Sequence, residues 1–323
     1  MRKINKVSII IPVYYNEDNL IPLYEDIREK FINRIDYDYE IIMVDDGSKD
    51  NSIEVMKMLK LRDNNIKIIK LSRNFGSHAA MLCGLNNCSG DCAVIKCADL
   101  QEPTELIIEM IEQWEKHNNV VLAVREGREE SKSQELFANL YYSMVKNLAL
   151  PNMPDKGFDV YLLDRKVIDT VCRMDERNSA LTGQVLWSGF STAYVYYTRK
   201  KREVGKSRWT LKKKIRLVMD SLFSFSNVPI VAVEVGGIVS LLGAVVWIIV
   251  EVILKLSGRI AIQGWTLLMI FQLFSFGIIM LTLGILGEYL WRTFDASRNR
   301  PAYIIEYLDD ELMKEENFYQ ESI

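Results

Sequence analysis

Paired cysteines, net charge and a leader-type N-terminus are all scarce or missing in this chain. Five cysteines are present (Cys83, Cys88, Cys92, Cys97 and Cys172), an odd number with no C-x-x-C spacing. Free buried thiols in a reducing cytosol are the better reading. A zinc site drawn from Cys88, Cys92 and Cys97 is the weaker alternative. The formal net charge of −3 argues against a general nucleic-acid binder. The N-terminal stretch MRKINKVSIIIPVYYNE is basic and then briefly apolar. Its run from Val7 to Val13 is too short for a signal h-region, contains Pro12 and lacks a small-residue cleavage site. It reads as a first strand.

What the chain does have is an alternation of strand and helix signals over residues 1–130. Short apolar runs at Val7–Ile11, Glu40–Val44, Ile66–Leu71, Asp91–Cys97 and Val120–Val124 predict five strands. Helical patterns follow the first three, near Asn19–Phe31, Asn51–Leu61 and up to Asn86. This spacing implies a mostly parallel sheet covered on both faces. Further on, Ser131–Ala149 is helical in pattern, and Gly157–Leu163 and Tyr194–Tyr197 read as strands.

Ligands in such sheets bind beyond the carboxyl ends of the strands. Asn16, Glu17, Asp45, Asp46, Arg73, Asp99 and Gln101 all follow strand ends, which points to one composite site. The stretch Val94-Ile-Lys-Cys-Ala-Asp99-Leu-Gln101-Glu102-Pro103 is the most informative. A buried run that ends in two carboxylates and an amide suits a hard divalent cation and a phosphorylated ligand. The plainer reading of Asp99 is a helix cap before Pro103, and that of Asp46-Gly47-Ser48 is a turn and cap.

Charge is unevenly placed. From Arg199 to Arg216 the chain carries ten Lys/Arg and one Glu. Trp209–Phe225 is amphipathic, as expected of a helix in a membrane interface. Pro229–Val250 is about 22 residues with only Glu234 charged, and Gly264–Gly287 about 24 with no charge. Both exceed the roughly 20 residues needed to cross a bilayer. The basic block before them and Arg292, Arg298 and Arg300 after them place both termini in the cytoplasm. The expected division is a sheet domain over 1–208, an amphipathic helix over 209–227, a two-helix membrane region over 228–290 and a tail over 291–323, acidic and frayed over Asp309–Glu321.

Seven motifs now stand in order: Ile11-Pro-Val-Tyr-Tyr-Asn-Glu17, Val44-Asp-Asp-Gly-Ser48, Leu71-Ser-Arg-Asn-Phe-Gly76, Ala98-Asp-Leu-Gln-Glu-Pro103, Gly157-Phe-Asp-Val-Tyr-Leu-Leu-Asp-Arg165, Gly205-Lys-Ser-Arg208, and Gly287-Glu-Tyr-Leu-Trp-Arg292 with Asn299-Arg-Pro301. With these the chain resembles family 2 glycosyltransferases of GT-A fold, specifically the polyprenyl-phosphate glycosyltransferases related to dolichol-phosphate mannose synthase and bactoprenol glucosyltransferase. Each motif alone is weak, but seven in sequence over nearly the whole chain are specific.

The resemblance implies a Rossmann-like, mostly parallel sheet domain followed by two membrane helices. It implies an inverting enzyme that moves one sugar from a nucleotide-sugar, by family habit a UDP-sugar, to polyprenyl phosphate. Asp99 and Gln101 match the family's ligands for Mg²⁺ or Mn²⁺. Pro12, Tyr14, Glu17, Asp45 and Asp46 match the nucleotide pocket, and Arg73 is a candidate for a donor phosphate. Asp159 matches the position beside the reacting centre, as acceptor-orienting group or base. Arg125, Arg128, Arg202, Lys206 and Arg208 are candidate cations for the acceptor phosphate. A homo-oligomer agrees with the resemblance, but no feature fixes its number. The family commonly reads D-A-D-L-Q-D, whereas this chain has Cys97 at the first acidic position. Two rival readings remain: a membrane-bound nucleotide-sugar binder without turnover, and a processive synthase. The Q-x-x-R-W motif and additional spans expected of the latter are missing.

Overall fold

The computed structural model describes residues 5–127, 142–174, 176, 180–199, 211–257 and 265–308. The chain forms two compact units. One contains residues up to Val218 together with those from Pro301 onward, and the other spans Met219–Arg300.

The first unit is built on one eight-stranded sheet. Its strands are β1 (Lys6–Val13), β2 (Asp38–Asp45), β3 (Ile66–Leu71), β4 (Cys92–Ile95), β5 (Val120–Gly127), β6 (Phe158–Asp164), β7 (Thr192–Thr198) and β8 (Ile305–Leu308). They lie in the order β7-β5-β6-β4-β1-β2-β3-β8. Neighbours β1–β2, β1–β4, β2–β3 and β5–β7 are parallel, and β6 and β8 enter antiparallel. This is the mixed, mostly parallel Rossmann-like arrangement of the GT-A fold.

The helices are α1 (Glu17–Lys30), α2 (Ser52–Arg62), α3 (Ser77–Asn86), α4 (Leu106–Glu115), α5 (residues 142–148), α6 (Arg165–Arg173) and α7 (Leu181–Trp187). Alternation along the strands explains why both sheet faces are apolar. Val7, Ile9, Ile11, Ile41, Met43, Ile68 and Val94 point into one core with Leu20, Leu23, Ile27, Met110 and Trp114 of α1 and α4. Ile10, Ile42, Val44 and Ile95 are fully buried at the intervening positions. There α3 packs on β1 and β2, and a Cβ at Gly84 would run into the Ile10 side chain. Strands buried on both faces read as near-continuous apolar runs, which is why their spacing was readable.

Four of these elements, α4, α6, α7 and β8, were not anticipated. Helix α4 lies between the fourth and fifth strands, where the spacing predicts none. Strand β8 lies beyond the second apolar segment and returns to the free edge of β3. Ser72 N–H donates to Ile304 C=O at 3.0 Å, and Lys70 pairs with Glu306 at 3.0 Å. Four residues with no periodicity become a strand only because an edge awaits them. Deleting residues 301–323 should therefore cost about 2 kcal/mol and lower Tm by roughly 5 °C. A thermal melt of the full chain against the truncation checks this. An unchanged Tm would show that β8 contributes nothing to the sheet.

The second unit contains the end of α8 (Leu211–Phe225) together with α9 (Val228–Leu256) and α10 (Trp265–Ser297). Within them Val228–Trp247 has a mean hydropathy of 2.2 and Phe274–Ser297 of 1.5, and neither stretch is buried by protein. Both helices are long and apolar enough to cross a membrane. Arg292 of α10 donates to Asp220 at 2.8 Å and to Glu288 at 2.8 Å, and lies over the Phe223 ring. That clasp ties the end of α8 to α10. The acidic tail beyond Leu308 lies outside the described residues.

Candidate active site

Four parallel strands, β1 to β4, deliver their carboxyl ends to one edge of the sheet. Tyr14–Glu17, Asp45–Ser48, Ser72–Gly76 and Lys96–Glu102 leave from there. The site has two halves.

The first half lies beyond β1, β2 and β3. Asp45 is fully buried and accepts Ser48 N–H at 3.2 Å, and burial raises its carboxyl above the usual range despite that donor. Asp46 accepts Phe75 N–H at 2.7 Å, Gly76 N–H at 2.9 Å and the Asn74 amide at 2.9 Å. Burial pushes the Asp46 carboxyl up to about 6, against the pull of the Phe75 and Gly76 amides. Asp46 thus clamps the β3–α3 loop. Gly47 makes the close approach possible: its φ is +70°, and a Cβ there would sit 2.6 Å from the Arg73 backbone. Arg73 is exposed, stacks 4.0 Å from the centre of the Phe75 ring and donates to Asn74 C=O. Glu17 accepts Asn51 N–H at 2.8 Å, tying the β1 and β2 loops together. Pro12 and Tyr14 are half-buried, and Tyr14 meets Tyr15 edge to face at 4.7 Å.

The second half lies beyond β4. Leu100 adopts a left-handed φ of 58° between Asp99 and Gln101. For leucine this conformation is strained, and such outliers gather at functional sites. Asp99 Oδ1 accepts Gln101 N–H at 3.3 Å, so both side chains leave one tight turn. Gln101 Oε1 accepts from Arg199 Nη2 at 2.8 Å, and that nitrogen is 3.7 Å from Asp99 Oδ2. The same guanidinium reaches Glu102 at 3.5 Å and Asp159 at 3.6 Å. Asp159 also pairs with Arg125, which is 4% exposed. Lys96 is fully buried beneath, its ammonium donating to Glu102 C=O at 2.8 Å.

The structure therefore gathers Asp99 and Gln101 from the end of β4, Asp159 from β6 and Arg125 from β5. Arg128, Arg202, Lys206 and Arg208 lie outside the described residues. In the sequence Glu102 is only the second carboxylate of the cluster beyond β4, and Lys96, Tyr197 and Arg199 have no assigned role. Arg199 was visible only as the first cation of the basic block. That it stands one residue past β7, and so reaches the end of β4, depends on the β5–β7 pairing.

These residues fit a divalent cation. Their donors are hard oxygens, which suit Mg²⁺ or Mn²⁺. Both Glu102 carboxylate oxygens and the Tyr197 hydroxyl are buried without a hydrogen-bond partner. Buried polar atoms of this kind ask for a cation or donor. Among the described residues no three His, Cys, Asp or Glu side chains are arranged to hold an ion by themselves. With two protein oxygens, from Asp99 and Gln101, phosphate and water oxygens would have to complete the shell. The Cys97 thiol is held well above its ordinary value, by burial first and then by Glu102 and Asp99, so it stays protonated. All five cysteines are free.

A family model described as "Glycosyl transferase family 2" matches residues 8–172. The chain is 37% identical over 300 residues to "Uncharacterized glycosyltransferase YkcC" of Bacillus subtilis (strain 168), covering 93% of each. It is 31% identical over 306 residues to "Bactoprenol glucosyl transferase" of Shigella phage SfV, covering 93% of this chain and 98% of that one. Among solved structures, it is similar to a mannosyltransferase from Pyrobaculum calidifontis in complex with GDP-Man and Mn²⁺, with a TM-score of 0.46 and 15% identity, covering 67% of this chain and 61% of that one. The chain belongs to glycosyl transferase family 2 and is a glycosyltransferase.

Proposed function

We propose that the protein is a membrane-anchored, inverting transferase that moves one sugar from a nucleotide-sugar to a polyprenyl phosphate. The observation that carries this is the convergence of Asp99, Gln101 and Asp159 on one cation at the strand ends. A relative named for bactoprenol glucosyl transfer, matched along almost its whole length, supports the lipid acceptor. The two bare apolar helices support the membrane. The donor is a UDP-sugar and the acceptor undecaprenyl phosphate. The catalytic domain and both termini face the cytoplasm, where the basic segment that follows Arg199, up to Arg216, meets anionic headgroups.

In this reading Pro12, Tyr14, Glu17, Asp45 and Asp46 shape the nucleoside pocket, and Arg73 meets a donor phosphate. Asp99 and Gln101 hold Mg²⁺ or Mn²⁺, which when bound neutralises the leaving diphosphate. Asp159, oriented by Arg125, faces the reacting centre. Arg128, Arg202, Lys206 and Arg208 take the acceptor phosphate, and Arg125, beside Asp159, completes that set. An acceptor phosphate oxygen forms the new bond to the anomeric carbon as the bond to the nucleoside diphosphate breaks. That oxygen is already anionic, so no proton has to be removed, and orientation and charge neutralisation dominate.

The test is a transfer assay. Purified protein in detergent is given undecaprenyl phosphate, Mg²⁺ or Mn²⁺, and radiolabelled UDP- and GDP-sugars in turn. Chloroform-extractable label from one donor is the expected result, and it names the sugar. Nucleotide binding with no label from any donor would reject the transferase reading for a binder without turnover, and Cys97→Asp would be the first reversion to make. Polymer in place of a single-sugar lipid would move the protein to the processive class.

A further inference from the structure

Nothing about its position in the sequence gives Arg199 a role, yet its guanidinium touches four oxygen-bearing side chains at the proposed metal site. They come from the end of β4 (Asp99, Gln101 and Glu102) and from β6 (Asp159). Its side chain is only 19% exposed. We propose that Arg199 is a resident counter-cation, which the divalent metal displaces and the donor diphosphate then receives. This rests on the assignment of Asp99 and Gln101 as the metal ligands.

The charges make the case. Among the described residues, three carboxylates (Asp99, Glu102 and Asp159) face three cations (Arg125, Arg199 and Lys96). Within that described set the charges balance without metal. A divalent ion arriving alone must expel one cation from a confined site and leaves excess positive charge. A nucleoside diphosphate arriving with the ion supplies two negative charges. It also offers phosphate oxygens that a guanidinium can grip in bidentate fashion. Metal and nucleotide should therefore load as a pair, each improving the other's binding, because coupling between two ligands is reciprocal. Asp99 and Gln101 alone make a poor site, which adds to the same dependence. Arg199 is then a positioning residue: it keeps the carboxylates ordered before loading and joins the diphosphate afterwards.

The experiment measures Mn²⁺ binding to the full chain in detergent by the loss of the free-ion EPR signal, with and without UDP. No turnover is involved. For the native protein Mn²⁺ alone should bind weakly, and UDP should tighten it by roughly 100-fold. Arg199→Ala should bind Mn²⁺ alone about tenfold more tightly, since its competitor is gone. In that variant the gain from UDP should shrink to about tenfold or less. Arg199→Lys, which keeps the charge, should stay near the native values and guards against a folding defect in the alanine variant. If Arg199→Ala binds Mn²⁺ no more tightly than the native protein while Asp99→Ala loses binding, the counter-cation role is wrong and the metal assignment survives. If Asp99→Ala binds Mn²⁺ as well as the native protein, the metal assignment itself falls, and the proposal with it.

Discussion

Asp99→Ala should lower sugar transfer by at least about 1,000-fold with little change in Tm. The expectation follows from where Asp99 stands. Its carboxylate is paired with Arg199 and is partly exposed, outside the apolar core. Its backbone turn is held by the buried strand before it and by the Lys96 ammonium on Glu102 C=O behind it. Truncation removes the oxygen proposed for the metal and one partner of Arg199 while leaving the strand intact. The loss should fall on kcat rather than on nucleotide affinity, because the leaving diphosphate gains charge as the bond breaks. Steady-state transfer by the variant, with a melting curve beside it, is the check. A variant that retains normal turnover would sink the assignment of Asp99 to the metal.

Asp46→Ala should have the largest effect on stability, about 3 kcal/mol, and should weaken UDP binding by about tenfold. Asp46 is the common acceptor for two backbone N–H groups and one side-chain amide of the β3–α3 loop. Without it those donors lose their partner in a place where Gly47 already holds the two loops in contact. Asp46→Asn keeps the shape and one acceptor oxygen, and should recover part of the loss. The pH dependence has a definite sign. The folded carboxyl, near 6, lies above the unfolded value of about 3.9, so folding favours the neutral acid. The stability from that preference is complete below about pH 4 and is lost as pH rises through about 6. Chemical denaturation of the native protein and of Asp46→Asn between pH 4 and 7 tests this. Equal slopes would show that Asp46 is not the titrating group.

These expectations come from different levels of the molecule. Asp99 and Gln101 stand out in the sequence as candidates because a buried apolar run stops there at an acid, an amide and an acid. The same holds for the sheet: runs such as Val7–Ile11 and Ile66–Leu71 must be strands, since their alternate residues serve two cores. The two long apolar segments needed only their length and lack of charge. Helix α4 escaped because it starts three residues after Pro103, inside a stretch dominated by the acid-amide-acid motif.

What the sequence determined by itself was the class of the fold, the family and the strand-end location of the candidate site, because those follow from local periodicity and from motifs only a few residues long. What the tertiary structure alone decided was which groups meet. Asp46 is a loop clamp because β2 and β3 are adjacent. Residues 305–308 are a strand because β3 has a free edge. Arg199 joins Asp99, a hundred residues away, because β7 is added beside β5, at the edge of the sheet. Each of these depends on pairing between distant segments, and neither spacing nor composition encodes the partner.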